Sequence, residues 1–431
     1  MDISKINLFS MILNLKDAQV RSDFASLKEW VDKRSRHLYC LDGRFLIFDF
    51  SDSAHKSVKI KAGTFIDLPV TAGGVTTYRT LEVLADTSYD LSAMITAAAA
   101  VATDRAGEEN GRVFHIYLIP NGAGGVGLTV STRTDYPGDI DVLYTADNTR
   151  WIGCFSTLCV AVDPGATAIV PVAPGSLVVS DTYLVKPCYT GDDDFSGFYT
   201  RTVSAVTSGT YYDVATVDFP LAGFAAGDIL PESVWCLGFM PVVHAANLNN
   251  VLGMVYNGDT DRAIDIYLQS GVGQDTATVY GATHTTLRQE QNHEDDMRQV
   301  GKMLLTDEEF SSAALGGNEK TNISGSVDAT TVGGHSDTAN RRMISFIGCE
   351  EMAGYLWQWL REYSANGGSS WGNFDGQGAL GQAYGTTYAL LAGGAWNDGA
   401  SCGSRCQDCA IARSVTSAVI GGRGCCRISK I

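Results

Sequence analysis

The 431-residue chain is short of positive charge, with 31 Lys and Arg against 48 Asp and Glu and a net charge of −17. That shortage argues against a sequence-independent grip on nucleic acid, which needs clustered Lys and Arg to displace counterions from phosphates. Long apolar runs are also missing: no stretch approaches the roughly 20 residues of a membrane-spanning helix, so no membrane insertion is expected. The opening MDISKINLFSMILNLKD mixes Asp2 with Lys5 before its apolar centre and lacks a small-residue cleavage site, so it does not read as a secretory signal. Prolines are few (10) beside 47 Gly, and charged residues make up only 18% against 45% hydrophobic. This composition excludes disorder for most of the chain and suits a loop-rich globular protein of short strands, long enough for two or three domains.

What is present reads mainly as β structure. In residues 1–50, an attachment or oligomerisation segment, DFASLKEWV sets Phe24, Leu27 and Val31 near one helical face, and RFLIFDF (44–50) suits a strand. From 51 to 165, VKIKAGTFIDL, YRTLEV, RVFHIYLIP and GLTVSTRT are short, β-branched and aromatic runs punctuated by Gly, Asn and Asp, as in a sandwich or prism. Residues 166–225 continue in strand-like pieces around TGDDDFSG, whose consecutive carboxylates lack the alternate spacing of a calcium loop and read as a solvated turn. Residues 226–431 are Gly-rich and irregular apart from LLTDEEFSSAALGG. There Thr306 and Glu309 form a capping box, Phe310, Ala313 and Ala314 follow at helical spacing, and Gly316 ends the helix.

Three patterns invite a chemical reading. NGAGGVG places Gly122, Gly124 and Gly127 at the spacing of a dinucleotide loop, but a strand follows instead of the helix N-terminus a phosphate needs, so a glycine hairpin is expected. SCGSRCQDCA places Cys402, Cys406 and Cys409 in the C-x3-C-x2-C spacing of a radical-enzyme cluster. Only 22 residues follow Cys409, too few for the barrel that houses such a cluster. A zinc site with Cys425 or Cys426 is the lesser alternative, without the usual paired C-x2-C knuckles. HEDD (293–296) reads as a solvated face, and Trp357 and Trp359 as buried aromatic anchors.

Four segments in order carry a resemblance. LLTDEEFSSAALGG (304–317), GYLWQWLREY (354–363), LAGGAWNDG (391–399) and IGGRGCCRI (420–428) resemble successive motifs of formylglycine-generating-enzyme-type domains, which have a C-type-lectin fold. Within that superfamily the chain end is most similar to variable proteins of diversity-generating retroelements, including phage receptor-binding proteins of the major-tropism-determinant type. YTADNTRWIGCFSTLC, GDILPESVWCLGF and GGHSDTANRRMISFIGCEE also look like phage tail-fibre relatives of that group. The implied fold class is mainly β N-terminal domains followed by an α+β C-type-lectin-like domain, with a variable region at about 393–428.

In such systems, error-prone copying at adenines turns AAC or AAT codons into any codon ending in C or T, which excludes Lys, Glu, Gln, Met and Trp. Between Asn397 and Cys426 the only residue of those types is Gln407, which is therefore expected not to vary or to derive from another codon. The resemblance implies variable, ligand-facing positions at Ala395, Asp398, Ser401, Asp408, Cys409, Ile411, Val415, Ser417, Val419 and Cys425. It implies a fixed frame at Gly393, Gly394, Trp396, Gly403, Ser404, Arg405, Arg413, Gly421 and Arg423. Cys402 and Cys406 fit either role.

The expected function is that of a phage or prophage tail-fibre receptor-binding protein. It would bind a host cell-surface protein or glycan without covalent chemistry, assemble with other tail proteins, and act as a homotrimer in virions built in the host cytoplasm. No catalytic residue, cofactor or metal is assigned. The alternatives are a metal-dependent cysteine oxidase and a cellular display protein with the same domain. Against the oxidase, Asn397 and Asp398 stand where that family's copper-binding cysteines follow the Gly-Gly turn.

Overall fold

The computed structural model describes residues 38–39, 44–96, 110–122, 124–185, 199–244, 248–373 and 382–430. The helix expected at DFASLKEWV and the acidic turn TGDDDFSG lie outside them.

Strand formation follows the β-branched and aromatic runs. Val113–Pro120 is buried on both faces, which explains why VFHIYLIP is a continuous apolar run instead of an alternating one. It pairs antiparallel with Val126–Ser131 and with Arg150–Ser156. The connection is the glycine hairpin expected from NGAGGVG: Asn121 Oδ1 accepts a hydrogen bond from the Gly125 amide at 2.7 Å, and Gly124 adopts φ +82°.

These strands belong to a nine-stranded sheet that also contains the chain end. Trp235–Cys236 pairs with Arg150–Ser156 on one side and Phe239–Pro241 on the other, and Phe239–Pro241 pairs with Gly424–Lys430. Arg262–Asp265 and Met254–Asn257 complete that side, and Met303–Leu304 adds to the start of Gly424–Lys430. The junction between halves is tight. A Cβ on Gly153 would stand 2.3 Å from the Trp235 carbonyl oxygen. Trp235 is fully buried, with its indole nitrogen donating to the Met254 carbonyl at 3.1 Å and its ring beside Phe239 and Tyr256.

Four smaller sheets surround this one. Two have three strands: Leu38–Tyr39, Thr64–Ala72 and Val75–Val83, and Leu46–Phe48, Ser57–Ile60 and Thr87–Asp90. A four-stranded sheet orders Thr167–Val172, Asp213–Asp218, Tyr199–Thr207 and Thr182–Val185. The last orders Gly403–Ala412, Gln382–Gly393, Trp357–Asn373 and Ile420–Gly421, with Ile420–Gly421 parallel to its neighbour. The expected helix forms at Asp307–Ala313 with both capping-box bonds in place, and Gly316 follows at φ +84°.

One hydrophobic core runs from Phe45 to Cys426, and a satellite cluster of Met297, Leu304, Trp359, Ala389, Leu391 and Ile420 lies under the last sheet. Trp359 is buried there and Trp357 packs against it from a half-buried position.

Because the added methyl at Gly153 meets backbone instead of a movable side chain, Gly153→Ala should destabilise the protein by about 1–3 kcal/mol. Urea unfolding measures this; an unchanged midpoint would show that the two halves of the sheet can part without cost.

Candidate ligand-binding face

The frame of the C-terminal region is built on buried arginines. Arg423 is only 1% exposed. Its Nη1 donates to the carbonyls of Asp265 (2.8 Å) and Ile266 (2.7 Å), its Nη2 to the carbonyl of Glu350, and its Nε to Gln358 Oε1 at 2.9 Å. Gln358 Nε2 in turn donates to the carbonyls of Glu351 and Met352. One guanidinium therefore ties four chain segments together through groups that would otherwise be buried polar atoms without partners. Beside it, the carboxylate of Asp265 pairs with the fully buried Lys302 ammonium and accepts the Gly424 amide at 3.0 Å.

Arg413 supports the loop that follows strand Gly403–Ala412. Its Nε donates to Glu290 Oε2 at 2.7 Å and its Nη2 to Gln291 Oε1 at 3.0 Å, and its guanidinium lies 4.4 Å from the Tyr363 ring centre. Burial pushes the Glu290 carboxyl up, and the Arg413 charge opposes that shift.

Glu290 and Gln291 begin helix Glu290–Gln299, which contains HEDD. The expectation that HEDD is a solvated face is overturned, because Glu290, His293, Glu294 and Met297 form a buried stripe at helical spacing and Asp296 is buried too. The stripe is polar because it meets side chains and backbone groups that need partners. Gln269 Nε2 donates to Asp296 Oδ2 at 3.0 Å, so its oxygen faces His293 Nδ1 at 2.6 Å and that nitrogen carries the proton. Burial, reinforced by the Arg288 charge, holds the His293 pKa down at about 3, so the ring is neutral.

The Gly-Gly turn is held by close backbone approach. Gly393 and Gly394 adopt φ +97° and +86°, and a Cβ on Gly393 would stand 2.5 Å from the Met352 carbonyl oxygen. The Trp396 amide donates to the Tyr355 carbonyl at 2.8 Å. Gly403 packs on the Glu319 carboxylate, which accepts the Ser404 amide at 2.9 Å. Of the expected frame residues, Gly421 and Ser404 are buried, and Arg405 is exposed. At the start of its strand, the turn and the Glu319 contact fix the backbone without that side chain.

The ligand-facing candidates divide by exposure. Ser401 and Cys409 are exposed, and Asp398, Asp408, Ile411, Val415, Ser417 and Val419 are half-buried. Ile411, Val415 and Val419 pack one side against the satellite cluster. Ala395 and Cys425 are 0% exposed, so neither can face a ligand in this structure. Ala395 is closed in by its bridge to Tyr355, and Cys425 lies inside the central sheet, paired with Ile264 and Met303, with its thiol beside the Glu309 carboxylate. Gln407 is exposed and donates to Asp307 on the capped helix.

The thiols sit in different environments. Cys402, Cys425 and Cys426 are buried, Cys406 is half-buried and Cys409 exposed. Burial pushes Cys402 and Cys426 up to about 12 and Cys425 well above its ordinary value. The Cys402 thiol donates to the Ala395 carbonyl at 3.3 Å. Among the described residues no three His, Cys, Asp or Glu side chains are grouped as metal ligands.

The partners of the frame arginines (Glu290, Gln358, Asp265) and the Glu319 prop beneath Ser404 were not anticipated from sequence. They lie 65 to 158 residues from their arginines along the chain and carry no local motif.

No protein-family model matches the chain, and no curated protein matches it. Its fold is similar to solved structures of Major Tropism Determinant variants. The Major Tropism Determinant U1 variant aligns at TM-score 0.57 and 20% identity over 92% of this chain and 87% of that one. The M1 variant aligns at TM-score 0.57 and 20% identity over 91% and 86%. The I1 variant aligns at 0.56 and 20% over the same shares. At that identity the likeness establishes fold alone: a mainly β fold resembling the C-type-lectin-like structure of those variants.

Removing Arg413 while leaving Glu290 in place should cost about 3–5 kcal/mol, since a buried carboxylate loses its partner. Arg413→Ala in a urea titration checks this, and adding Glu290→Gln should recover part of the loss; a cost under 1 kcal/mol for Arg413→Ala would contradict it. Thiol accessibility gives a second check. Under native conditions iodoacetamide should label Cys409 first and Cys406 slowly, sparing Cys402, Cys425 and Cys426, as peptide mass spectrometry can read.

Proposed function

We propose that the chain is a phage or prophage tail-fibre receptor-binding protein whose C-terminal domain presents a retroelement-diversified surface to host-surface ligands. Residues 1–50, 51–165 and 166–225 serve attachment and assembly, and 226–431 form the ligand-binding domain. The protein works as a homotrimer on the virion tail after assembly in the host cytoplasm, so that several weak contacts add up.

The observation that carries this reading is the division of the last forty residues into two sets. Side chains at Ser401, Cys409, Ile411, Val415, Ser417 and Val419 reach the surface at least in part, while Gly403, Arg413, Gly421 and Arg423 are buried beneath them. A binding surface that changes between copies needs this separation, because each replacement must leave the backbone where it was. The half-buried Ile411, Val415 and Val419 rimmed by Ser417 and Asp408 suit contact with protein. The similarity in fold to Major Tropism Determinant variants supports the same reading. The oxidase alternative has less support, since the thiols it would use are dispersed and mostly protonated.

Chains recovered from independent isolates and incubated with panels of bacterial cells test the proposal. They should differ at positions such as 401, 409, 411, 415, 417 and 419, keep Gly403, Arg413, Gly421 and Arg423, and bind different subsets of strains by flow cytometry. Differences spread evenly over frame and surface, or chains that bind no cells, would sink it.

A further inference from the structure

Where the four-stranded sheet of residues 167–218 meets the C-terminal domain there is a cleft of about 650 Å³, within the range of small-ligand sites. One wall is apolar. Pro171 pairs with Val214 in the antiparallel register, and Ile169 lies two residues before Pro171, so all three share one face of the sheet. Tyr211 and Tyr212 stand at the same cleft, 88% and 46% exposed. Tyrosine combines an apolar ring with a polar tip, and an exposed ring at a cleft is a surface on which a ligand can stack.

The opposite wall is cationic. Lys320 and Arg405 both line it and both are exposed. Among the described residues neither side chain has a hydrogen-bond or ion-pair partner. On a chain of net charge −17, two such cations in one cleft make a local positive spot that attracts an anion. Glu319, whose carboxylate accepts the Ser404 amide at 2.9 Å and feels the Arg405 charge, offsets one of the two and leaves the cleft with a single net positive charge.

The wall is also built to stay in place. Lys320 sits in the left-handed region at φ +57°, an uncommon conformation for a residue other than Gly. Its amide donates to the Cys402 carbonyl at 2.7 Å, and Arg341 reaches the Glu319 carbonyl. The turn is thus tied to the start of the strand that carries Arg405.

We propose that this cleft is a binding site for a carboxylated sugar, with Lys320 and Arg405 holding the carboxylate and Tyr211 and Tyr212 stacking on the C–H face of the ring. A sugar acid is amphipathic in the same sense as the cleft: an apolar ring face, a ring of hydroxyls and one fixed negative charge. The planar guanidinium of Arg405 matches a carboxylate in two-pronged geometry. None of the positions proposed to vary lines the cleft, and the site does not depend on their function.

Titration of the full chain with methyl glucuronide, followed by saturation-transfer NMR, tests the assignment, with methyl glucoside and inorganic phosphate as separate arms. Saturable glucuronide binding is expected, with Kd on the order of 1 mM for a single sugar. Lys320→Gln combined with Arg405→Gln, and separately Tyr211→Ala, should weaken it roughly tenfold or more, about 1.4 kcal/mol, with melting temperature unchanged. Leu84→Ser, at an exposed position outside the cleft lining, should leave it unaltered. Absence of saturable binding, equal affinity for the glucoside or for phosphate, indifference to the double substitution, or loss in Leu84→Ser would each overturn the proposal.

Discussion

The guanidinium of Arg423 is the point on which the C-terminal region depends. Its contacts reach the backbone at Asp265, Ile266 and Glu350 and the side chain of Gln358, so it joins the central sheet, the irregular segment before Gly354 and the strand Trp357–Asn373. Irregular backbone is costly to bury because each turn leaves carbonyls without ladder partners. A residue with five donors in a rigid fork can satisfy several at once, and its charge is retained because arginine deprotonates only with great difficulty. Immediately after Arg423 the chain enters strand Gly424–Lys430, which pairs with Phe239–Pro241, Arg262–Asp265 and Met303–Leu304. Fixing the arginine therefore also fixes the register of the strand that lies between Arg262–Asp265 and Phe239–Pro241 in the nine-stranded sheet.

That arrangement explains how surface chemistry can be separated from fold. The strand Gly403–Ala412 is not positioned by its outward side chains. It is positioned by its pairing with Gln382–Gly393, by Glu319 at its start and by Arg413 at its end. Exchanging an exposed residue such as Cys409 leaves these contacts intact, whereas exchanging Ile411, Val415 or Val419 also alters packing on the satellite cluster. The first group is free to vary in charge and size. The second must keep enough apolar surface to cover Trp359, Leu391 and Ile420, so the two groups differ in the chemistry they can carry.

Much of this was legible in the sequence where the signal is local. The capping box at Thr306 and Glu309, the glycine hairpin at 121–125 and the strands around VFHIYLIP all follow from neighbouring residues, and each stands as expected. The helix bearing HEDD was misread because a buried face is normally recognised by apolar spacing, and this one buries Glu290, His293 and Glu294 against polar partners far along the chain. Ala395 and Cys425 were misplaced for a related reason: position within a motif does not say which side of a turn or strand meets the core. Ala395 is covered by its bridge to Tyr355, and Cys425 sits between two neighbouring strands. The partners of Arg413 and Arg423 were invisible because long-range pairing leaves no periodicity to read.

The same contrast bears on the cysteine spacing. Three thiolates holding a metal must be deprotonated, close together and open to an incoming ion. Cys402 is buried beside a carbonyl and pushed to about 12, Cys406 is half-buried, and Cys409 faces solvent on the same strand. Each thiol thus has a different environment, set by the turn, the strand pleat and the surface in succession. Regular spacing along a chain produces a cluster only when the backbone brings those positions to one point, as a tight loop does. Here the positions are drawn out along the extended strand Gly403–Ala412 and the short turn before it, and extension separates what the spacing appeared to join.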